Sequence, residues 1–466
     1  MLKIKFGTDG WRAIIAKEYT VENVARVSYA VATWLLKSND KPTIVIGHDC
    51  RFGGELFTET CIQVFCSMGV KVITHKGFVS TPMISYAVLQ NQAQQGVVIT
   101  ASHNPPAYNG YKLKGAHGGP TPPEQILEVE ELIPDFVVEA KGLLVDYEQK
   151  GLLIYQDIET SYIDYLHTKF DLKSMQESPF RIAYDAMYGA GQRVIKKIFP
   201  NAVLLHAEQN PSFNNTPPEP LHKNLLQLSE TIKNTPELKF GLANDGDADR
   251  IALYDEHGNY VDSHHIILLL IHYLHHYKNL NGKVAIAAST TLRVNKLCDY
   301  YGLPCEVTPI GFKYISQIMM HDDVLVGGEE SGGISVKGHI PERDGIYDGL
   351  VIYEFMNKTQ KSLSELCEEI YKIVGKFYYH RLDLHLEESE KMKVIELCKK
   401  GFNSFGKFEI IDTNTIDGYK YELANSNWTM IRASGTEPLL RIYAEGNTEE
   451  EVHEILRAVK DTLDLN

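Results

Sequence analysis

The sequence predicts an α/β protein: three related α/β units followed by a smaller C-terminal α+β unit, with loops that can face one shared central cleft. Three observations predict it. Short β-branched runs, TIVIG (43–47), RIAYD (181–185) and KVAIAAS (283–289), read as strands that open parallel sheets. Each is followed, roughly 40 to 60 residues on, by a second apolar run that stops at a polar, Gly-rich loop, a weak structural repeat. These second runs are GVVIT (96–100), KFGLAN (239–244) and VLVGG (324–328). The last stretch of chain, roughly ninety residues, abandons that rhythm.

In chain order, Thr20 stands as the N-cap of an amphipathic helix, since Val24, Val27, Val31, Trp34 and Leu35 fall on one face at helical spacing. TIVIG follows as a strand. The second runs lead into TASHNPPAYNGYK (100–112), DGDADR (245–250) and GGEESGG (327–333). Ligands of open α/β sheets bind beyond the carboxyl ends of strands, so these loops are the places to look for chemistry. The C-terminal unit begins with the strand-like YYHRLDLHL (378–386), continues through a helix from Glu387 to Lys400 and the segment WTMIRASGTEPLLRIYAE (428–445), and ends in an amphipathic tail. Thr448 and Glu451 form a capping box for that tail, and Val452, Ile455, Leu456, Val459 and Leu463 line one face. The expected units are 1–153, 154–258, 259–376 and 377–466.

Composition excludes several classes. Hydrophobic residues at 44% and charged residues at 23% belong to a folded chain, not a disordered one. The 46 Lys and Arg against 61 Asp and Glu leave a net charge of −15, which repels polyanions and removes the footprint of non-specific nucleic-acid binding. The longest apolar run, near Ile266 to Ile271, is far too short to span a bilayer, so no membrane partner is expected. Gly and Asp arrive too early in MLKIKFGTDGWR for a signal peptide. Seven cysteines without a CxxC pair read as reduced thiols of a cytoplasmic protein, a monomer or small homo-oligomer.

DGDADR brings three carboxylates, Asp245, Asp247 and Asp249, to alternate positions, where they repel one another unless a hard cation takes them up. The spacing also fits the start of an EF-hand, but Arg250 stands where that loop needs Gly and a strand leads in. A Mg²⁺ loop is favoured over both the EF-hand and a solvated acidic turn. In TASHNPPAYNGYK, Ser102 is a candidate nucleophile and Lys112 a candidate acid or base; Ser102 and His103 can equally be plain turn residues. RASGTEPLLR offers Arg432, Ser434, Gly435, Thr436 and Arg441, donors suited to phosphate. Glu329 and Ser331 in GGEESGG suit sugar hydroxyls. Lys313 of TPIGFK, with His339 and Arg343 of GHIPERDG, either extends a basic lining or sits in solvated loops. His264, His265, His272, His275 and His276 read as a helix face with exposed imidazoles rather than a metal site.

The ordered set FGTDGWR, TASHNP, DGDADR, GGEESGG and RASGTEP resembles the α-D-phosphohexomutase superfamily of phosphoglucomutases and phosphomannomutases, over essentially the whole chain. The resemblance implies three α/β domains with mixed sheets and a smaller fourth α+β domain around the cleft. It makes Ser102 the phosphoserine, with Asp245, Asp247 and Asp249 holding Mg²⁺ together with a phosphoserine oxygen. Lys112, with His103 nearby, becomes the proton-transfer group, and Arg12 and Arg250 steady the transferring phosphate. Glu329, Ser331, Lys313 and Arg343 then contact the sugar, and Arg432, Ser434, Gly435, Thr436 and Arg441 the distal phosphate. It implies a phosphosugar substrate and a hexose 1,6-bisphosphate intermediate. Relatives acting on mannose or glucosamine phosphates tend to carry His where Gly333 stands here, and Lys is common at the place of Arg343. Glucose phosphate is therefore the expected substrate.

Overall fold

The computed structural model describes residues 1–433 and 439–465. Four sheets follow one another along the chain. The first runs in the order Trp11–Ile14, Tyr108–Gly115, Gln95–Ile99, Thr43–His48, Lys71–Thr74, Leu153–Tyr155. Its last four strands are parallel and its first two antiparallel, and its final strand runs across the first expected boundary. The second sheet centres on Arg181–Asp185 and Leu238–Asn244, and the third on Lys283–Ala287 and Val324–Gly328. The fold is therefore the expected α/β architecture with mixed sheets.

The repeat has a simple structural basis. In each of the three units the opening strand pairs in parallel with the second apolar run: Thr43–His48 with Gln95–Ile99, Arg181–Asp185 with Leu238–Asn244, and Lys283–Ala287 with Val324–Gly328. That second strand then turns back into an antiparallel partner, Tyr108–Gly115, Ile251–Tyr254 or Ile334–Val336. The serine, aspartate and GGEESGG loops are those three turns. A hairpin at the carboxyl end of a parallel strand delivers each loop to the same side of its sheet.

The C-terminal unit is a six-stranded antiparallel sheet, in the order Tyr378–His385, Leu439–Gly446, Trp428–Ala433, Tyr419–Leu423, Phe408–Asn414, Ser404–Phe405, backed by the helices Glu388–Lys400 and Glu449–Thr462. It docks on the third unit through buried charges. Lys420 Nζ donates to the carbonyls of Ala288 at 2.9 Å and Thr290 at 2.6 Å, and its ammonium lies 4.1 Å from the Trp428 ring centroid. Arg293 Nε donates to Glu445 Oε1 at 3.2 Å.

Helix signals in the sequence hold at the first helix and in part at the last. Thr20 caps Val21–Ser38 by accepting from Asn23 N, with Val24, Val27, Val31 and Leu35 buried. At Thr448 only half of the expected box forms. Its hydroxyl accepts from Glu451 N at 3.1 Å, but the Glu451 carboxylate accepts from Asn447 N, one residue before the cap. The histidine stretch differs from expectation. Ser263–His272 is apolar all round, with Ile266 to Ile271 fully buried, so it is a core helix rather than a surface one. His264 and His272 are buried with it, and of the five imidazoles only His276 is exposed. His264 Nδ1 accepts from Thr291 N, and His272 Nε2 faces Glu369 at 3.2 Å. No helix among the described residues is long and apolar enough to cross a membrane.

Candidate active site

The serine and aspartate loops meet face to face. Ser102 is fully buried and holds a left-handed backbone, φ 51°, unusual for a residue with a side chain. Two groups fix it: its N–H donates to Thr100 Oγ1 at 2.9 Å, and its carbonyl accepts from Arg51 Nη2 at 2.5 Å. Arg51 also donates to the carbonyls of Asn104, Pro105 and Tyr108, and Asp49 anchors its Nε at 3.0 Å. One buried guanidinium thus ties down most of the serine loop. Gly246 lets the aspartate loop approach, because a Cβ there would stand 2.6 Å from the Ser102 carbonyl oxygen.

This contact brings Ser102 Oγ to 2.7 Å from Asp245 Oδ2, to which it donates. Asp245, Asp247 and Asp249 are fully buried, and one oxygen of each lies within 4.8 Å of the others. Asp247 Oδ2 accepts from Thr81 Oγ1 at 2.5 Å and from Lys112 Nζ at 2.8 Å; Asp249 Oδ2 accepts from Lys112 Nζ at 3.0 Å. The remaining oxygens, Asp247 Oδ1 and Asp249 Oδ1, are buried without a hydrogen-bond partner among the described residues. Leaving two carboxylate oxygens desolvated and unpaired is costly unless a cation takes them. Three hard carboxylates and a serine oxygen form a donor set that fits Mg²⁺.

Burial and the two neighbouring aspartates push the Asp245 carboxyl well above the ordinary range. Burial also pushes Asp247 upward, but the Lys112 ammonium outweighs it and holds that group low. Burial works against the charge of Lys112, yet Asp247, Asp249 and Asp9 raise its pKa above the ordinary lysine value, so it stands as an ammonium here. His103 lies with Nδ1 3.3 Å from Ser102 Oγ, and burial together with Arg250, Arg12 and Lys112 keeps its imidazole neutral.

The other sequence candidates divide into two groups. Arg12 donates to Asn104 Oδ1 at 2.7 Å and to Asp9 at 3.2 Å, which puts it on the serine loop. Arg250 is tied to Asp245 through its backbone N–H at 3.1 Å. Arg343 donates to Asp9 at 2.7 Å and pairs with Asp249 at 2.8 Å, while Glu329 accepts from Gly311 N at 2.9 Å and faces Arg343 at 3.9 Å. Arg343 Cδ occupies the place that a Cβ on residue 333 would need, so its path depends on Gly333. Ser331 lies beside Glu330 and Arg381 at a small cavity.

Farther out, Lys313 joins none of these contacts. Its ammonium lies 5.2 Å from the Tyr314 ring, and it borders a cavity that Lys5, Thr8 and Asp9 also line. Arg432 donates to Asp417 at 2.9 Å, and Arg441 lies 3.5 Å from Asp383. Ser434, Gly435 and Thr436 lie outside the described residues. His339 is neither basic lining nor solvated. Its side chain is fully buried, stacked on Tyr347 at 3.7 Å and bonded to Asp344 at 2.9 Å.

Sequence reasoning missed Asp9, whose Oδ2 meets Arg12, Lys112 and Arg343, and it missed Arg51, Asp49 and Thr81. Asp9 was in view within FGTDGWR, three residues before Arg12. Nothing in the local pattern at Arg51 or Thr81 announces a role, because their partners are distant in sequence.

A nucleophile candidate set against a buried triad of acids, ringed by arginines on three α/β units, has the parts that moving a phosphoryl group within a sugar phosphate needs. Family models agree over most of the chain. The phosphoglucomutase/phosphomannomutase α/β/α domains I, II and III match residues 3–136, 160–258 and 262–374, and the C-terminal domain matches 386–462. The chain belongs to the phosphoglucomutase/phosphomannomutase family. It is 31% identical to the phosphoglucomutase/phosphomannomutase of Thermococcus kodakarensis over 97% of this chain and 96% of the relative. It is 28% identical to the phosphoglucosamine mutase of Latilactobacillus sakei over 96% of both. A solved Thermus thermophilus chain described as a phosphomannomutase superposes with a TM-score of 0.87 at 30% identity, covering 99% of each chain.

Proposed function

We propose that this phosphohexomutase interconverts glucose 1-phosphate and glucose 6-phosphate, with mannose phosphates as second substrates, through a phosphoserine at Ser102 and a hexose 1,6-bisphosphate intermediate. The observation that carries the reading is Ser102 Oγ, 2.7 Å from a buried acid whose two neighbours each leave an oxygen without a hydrogen-bond partner among the described residues. Phosphoryl transfer through a loose transition state needs positioning and charge neutralisation more than covalent help. Arg51 and Thr100 hold the serine backbone, and Arg12 and Arg250 flank the loops where the transferring phosphate would stand. Asp245, Asp247, Asp249 and an oxygen on Ser102 would hold Mg²⁺, which supplies charge to the phosphoryl oxygens and relieves part of the field that keeps Lys112 protonated.

In the forward half-reaction the Ser102 Oγ–P bond breaks as the sugar hydroxyl forms its new O–P bond; the leaving Ser102 Oγ takes a proton from the Lys112 ammonium, which is restored by the proton that the sugar hydroxyl loses. In the return half the opposite phosphate passes back to Ser102. Lys112 is the proton-transfer group in this reading, while neutral His103 lies beside the serine oxygen. Glu329, Ser331 and Arg343 would read sugar hydroxyls in both orientations, and Arg432 and Arg441 would hold the distal phosphate. Gly333 in place of the loop His supports glucose over mannose and glucosamine, while Arg343 stands where a Lys is common. The seven cysteines are all free thiols, which supports a reducing, cytoplasmic setting.

The test is kcat/KM on glucose, mannose and glucosamine 1-phosphates side by side, with intact mass before and after a phosphosugar chase. Highest turnover on glucose 1-phosphate and an added phosphate that maps to Ser102 are the expected results. A preference for glucosamine phosphate would replace the sugar assignment, and a serine that never carries phosphate would overturn the mechanism.

A further inference from the structure

Five charged side chains form a line from the aspartate loop to the C-terminal sheet, outside the cluster described above. Arg250 Nη1 lies 3.5 Å from Glu219 Oε1, in the second domain. Arg381, on the first strand of the C-terminal sheet, reaches the same Glu219 oxygen with Nη2 at 3.9 Å. That nitrogen also donates to Asp383 Oδ2 at 3.0 Å, and Asp383 Oδ1 lies 3.5 Å from Arg441 Nε. Arg381 Nη1 turns to the third domain and donates to Glu330 Oε1 at 3.3 Å, between Glu329 and Ser331. Tyr379, two residues before Arg381, donates to the same Glu330 oxygen at 2.7 Å.

Arg381 is therefore a hub. One planar guanidinium touches carboxylates of three domains, and two of those carboxylates lead on to arginines assigned to the two phosphates. Its side chain is only 15% exposed, so these ion pairs act in a partly desolvated interface where they are stronger than at a free surface. Burial alone would weaken its charge; Glu330, Glu219 and Asp383 hold it fully protonated. A lysine has a single point of charge and cannot serve three carboxylates in this geometry.

We propose that Arg381 is a positioning residue: it docks the C-terminal domain on the second and third, and through Glu219 and Asp383 it sets Arg250 and Arg441 at the separation one doubly anchored phosphosugar requires. What the two arginines grip rests on the mutase reading, whereas the docking itself does not. The arms have separate signatures. Glu219 leads to Arg250 at the reacting phosphate, and Asp383 leads to Arg441 at the phosphate that does not react.

The experiment compares Glu219→Gln, Asp383→Asn and Arg381→Lys in the full chain, by kinetics on glucose 1-phosphate and 6-phosphate and by small-angle X-ray scattering of the ligand-free protein. Glu219→Gln is expected to lower kcat about 5-fold with KM within about 2-fold. Asp383→Asn is expected to raise KM for both isomers about 5-fold with kcat nearly unchanged, and Arg381→Lys to do both. Adding either arm variant to Arg381→Lys costs little more, since the connection is already cut. The radius of gyration rises in Arg381→Lys. Identical kinetic patterns for the two arms, or a fully active Arg381→Lys, would overturn the proposal. If the wild type fails to interconvert the isomers, the mutase reading falls and scattering alone decides the docking role: an unchanged radius overturns it, and an expanded one upholds it.

Discussion

The aspartate loop and the C-terminal arginine strands, the two ends of the proposed phosphosugar site, are built in opposite ways. Asp245, Asp247 and Asp249 have no exposed surface and are locked by Ser102, Thr81, Lys112 and the Arg250 backbone. Arg432 and Arg441 sit half-buried on a sheet whose strand Phe408–Asn414 is largely exposed. Among the described residues, Asp417 is the ion partner of the first and Asp383 of the second. The difference follows from what each must do. Where charge moves between atoms, dipoles and ions must be fixed in advance and dry. Where a ligand must be caught and released, half-buried cations held by a single carboxylate keep their charge available to a phosphate.

This contrast can be broken experimentally. The largest effect belongs to Ser102→Ala, which should lower turnover by on the order of 10⁴-fold or more while phosphosugar binding, measured by calorimetry, persists. Loss of binding together with turnover would mean that the two regions are not separable. Chelation should abolish turnover and added Mg²⁺ restore it; full activity in a chelated enzyme would remove the metal from the buried half. Lys112→Ala should slow turnover by about 10² to 10⁴. An unchanged rate would leave the ammonium a purely structural counter-charge.

Arg432→Ala should act differently, raising KM for both isomers by roughly 10-fold with a smaller change in kcat, as expected for uniform binding. A large preference for one isomer would contradict a shared distal-phosphate site. The smallest effect concerns the interface behind the arginine strands. Burial raises Glu445 from an ordinary value of 4.5 to about 7, and burial lowers Lys420 from 10.5 to about 8. Glu445 is thus protonated in the folded state where the unfolded chain has lost the proton. Its contribution to stability falls as pH rises from about 4.5 to 7, and the Lys420 contribution recovers as pH climbs from about 8 toward 10.5. Glu445→Gln should flatten the first limb, by about 2 to 4 °C in melting midpoint across it. An unaltered pH profile would show that Glu445 is not the group responsible.

Much of this contrast was readable from the chain alone. The three strand–loop–strand units show themselves through short β-branched runs ending at loops, because a parallel strand buried on both faces writes a continuous apolar run. Asp245, Asp247 and Asp249 could be found because their chemistry is local: three acids at alternate positions need a reason wherever they occur. Arg51 and Thr81 hold loops far away in sequence, and one residue's neighbourhood carries no trace of such a contact; Asp9 has a near partner in Arg12, but Lys112 and Arg343 are distant. The histidines went the other way. Their spacing suggested a wet face, but the apolar residues between them surround the helix and take His264 and His272 inside.

On the proposed glucose reading, Gly333 and Arg343 carry a consequence for how the sugar preference could change. The arginine stem fills the space that any larger residue at 333 would claim, and its head is committed to Asp9 and Asp249. Replacing the glycine by histidine alone would evict that stem and unbalance the charges around Asp9 and Asp249. The two positions are therefore epistatic: an evolutionary or engineered switch must exchange them together, and a one-step mutant would fall into a fitness valley before reaching the new specificity.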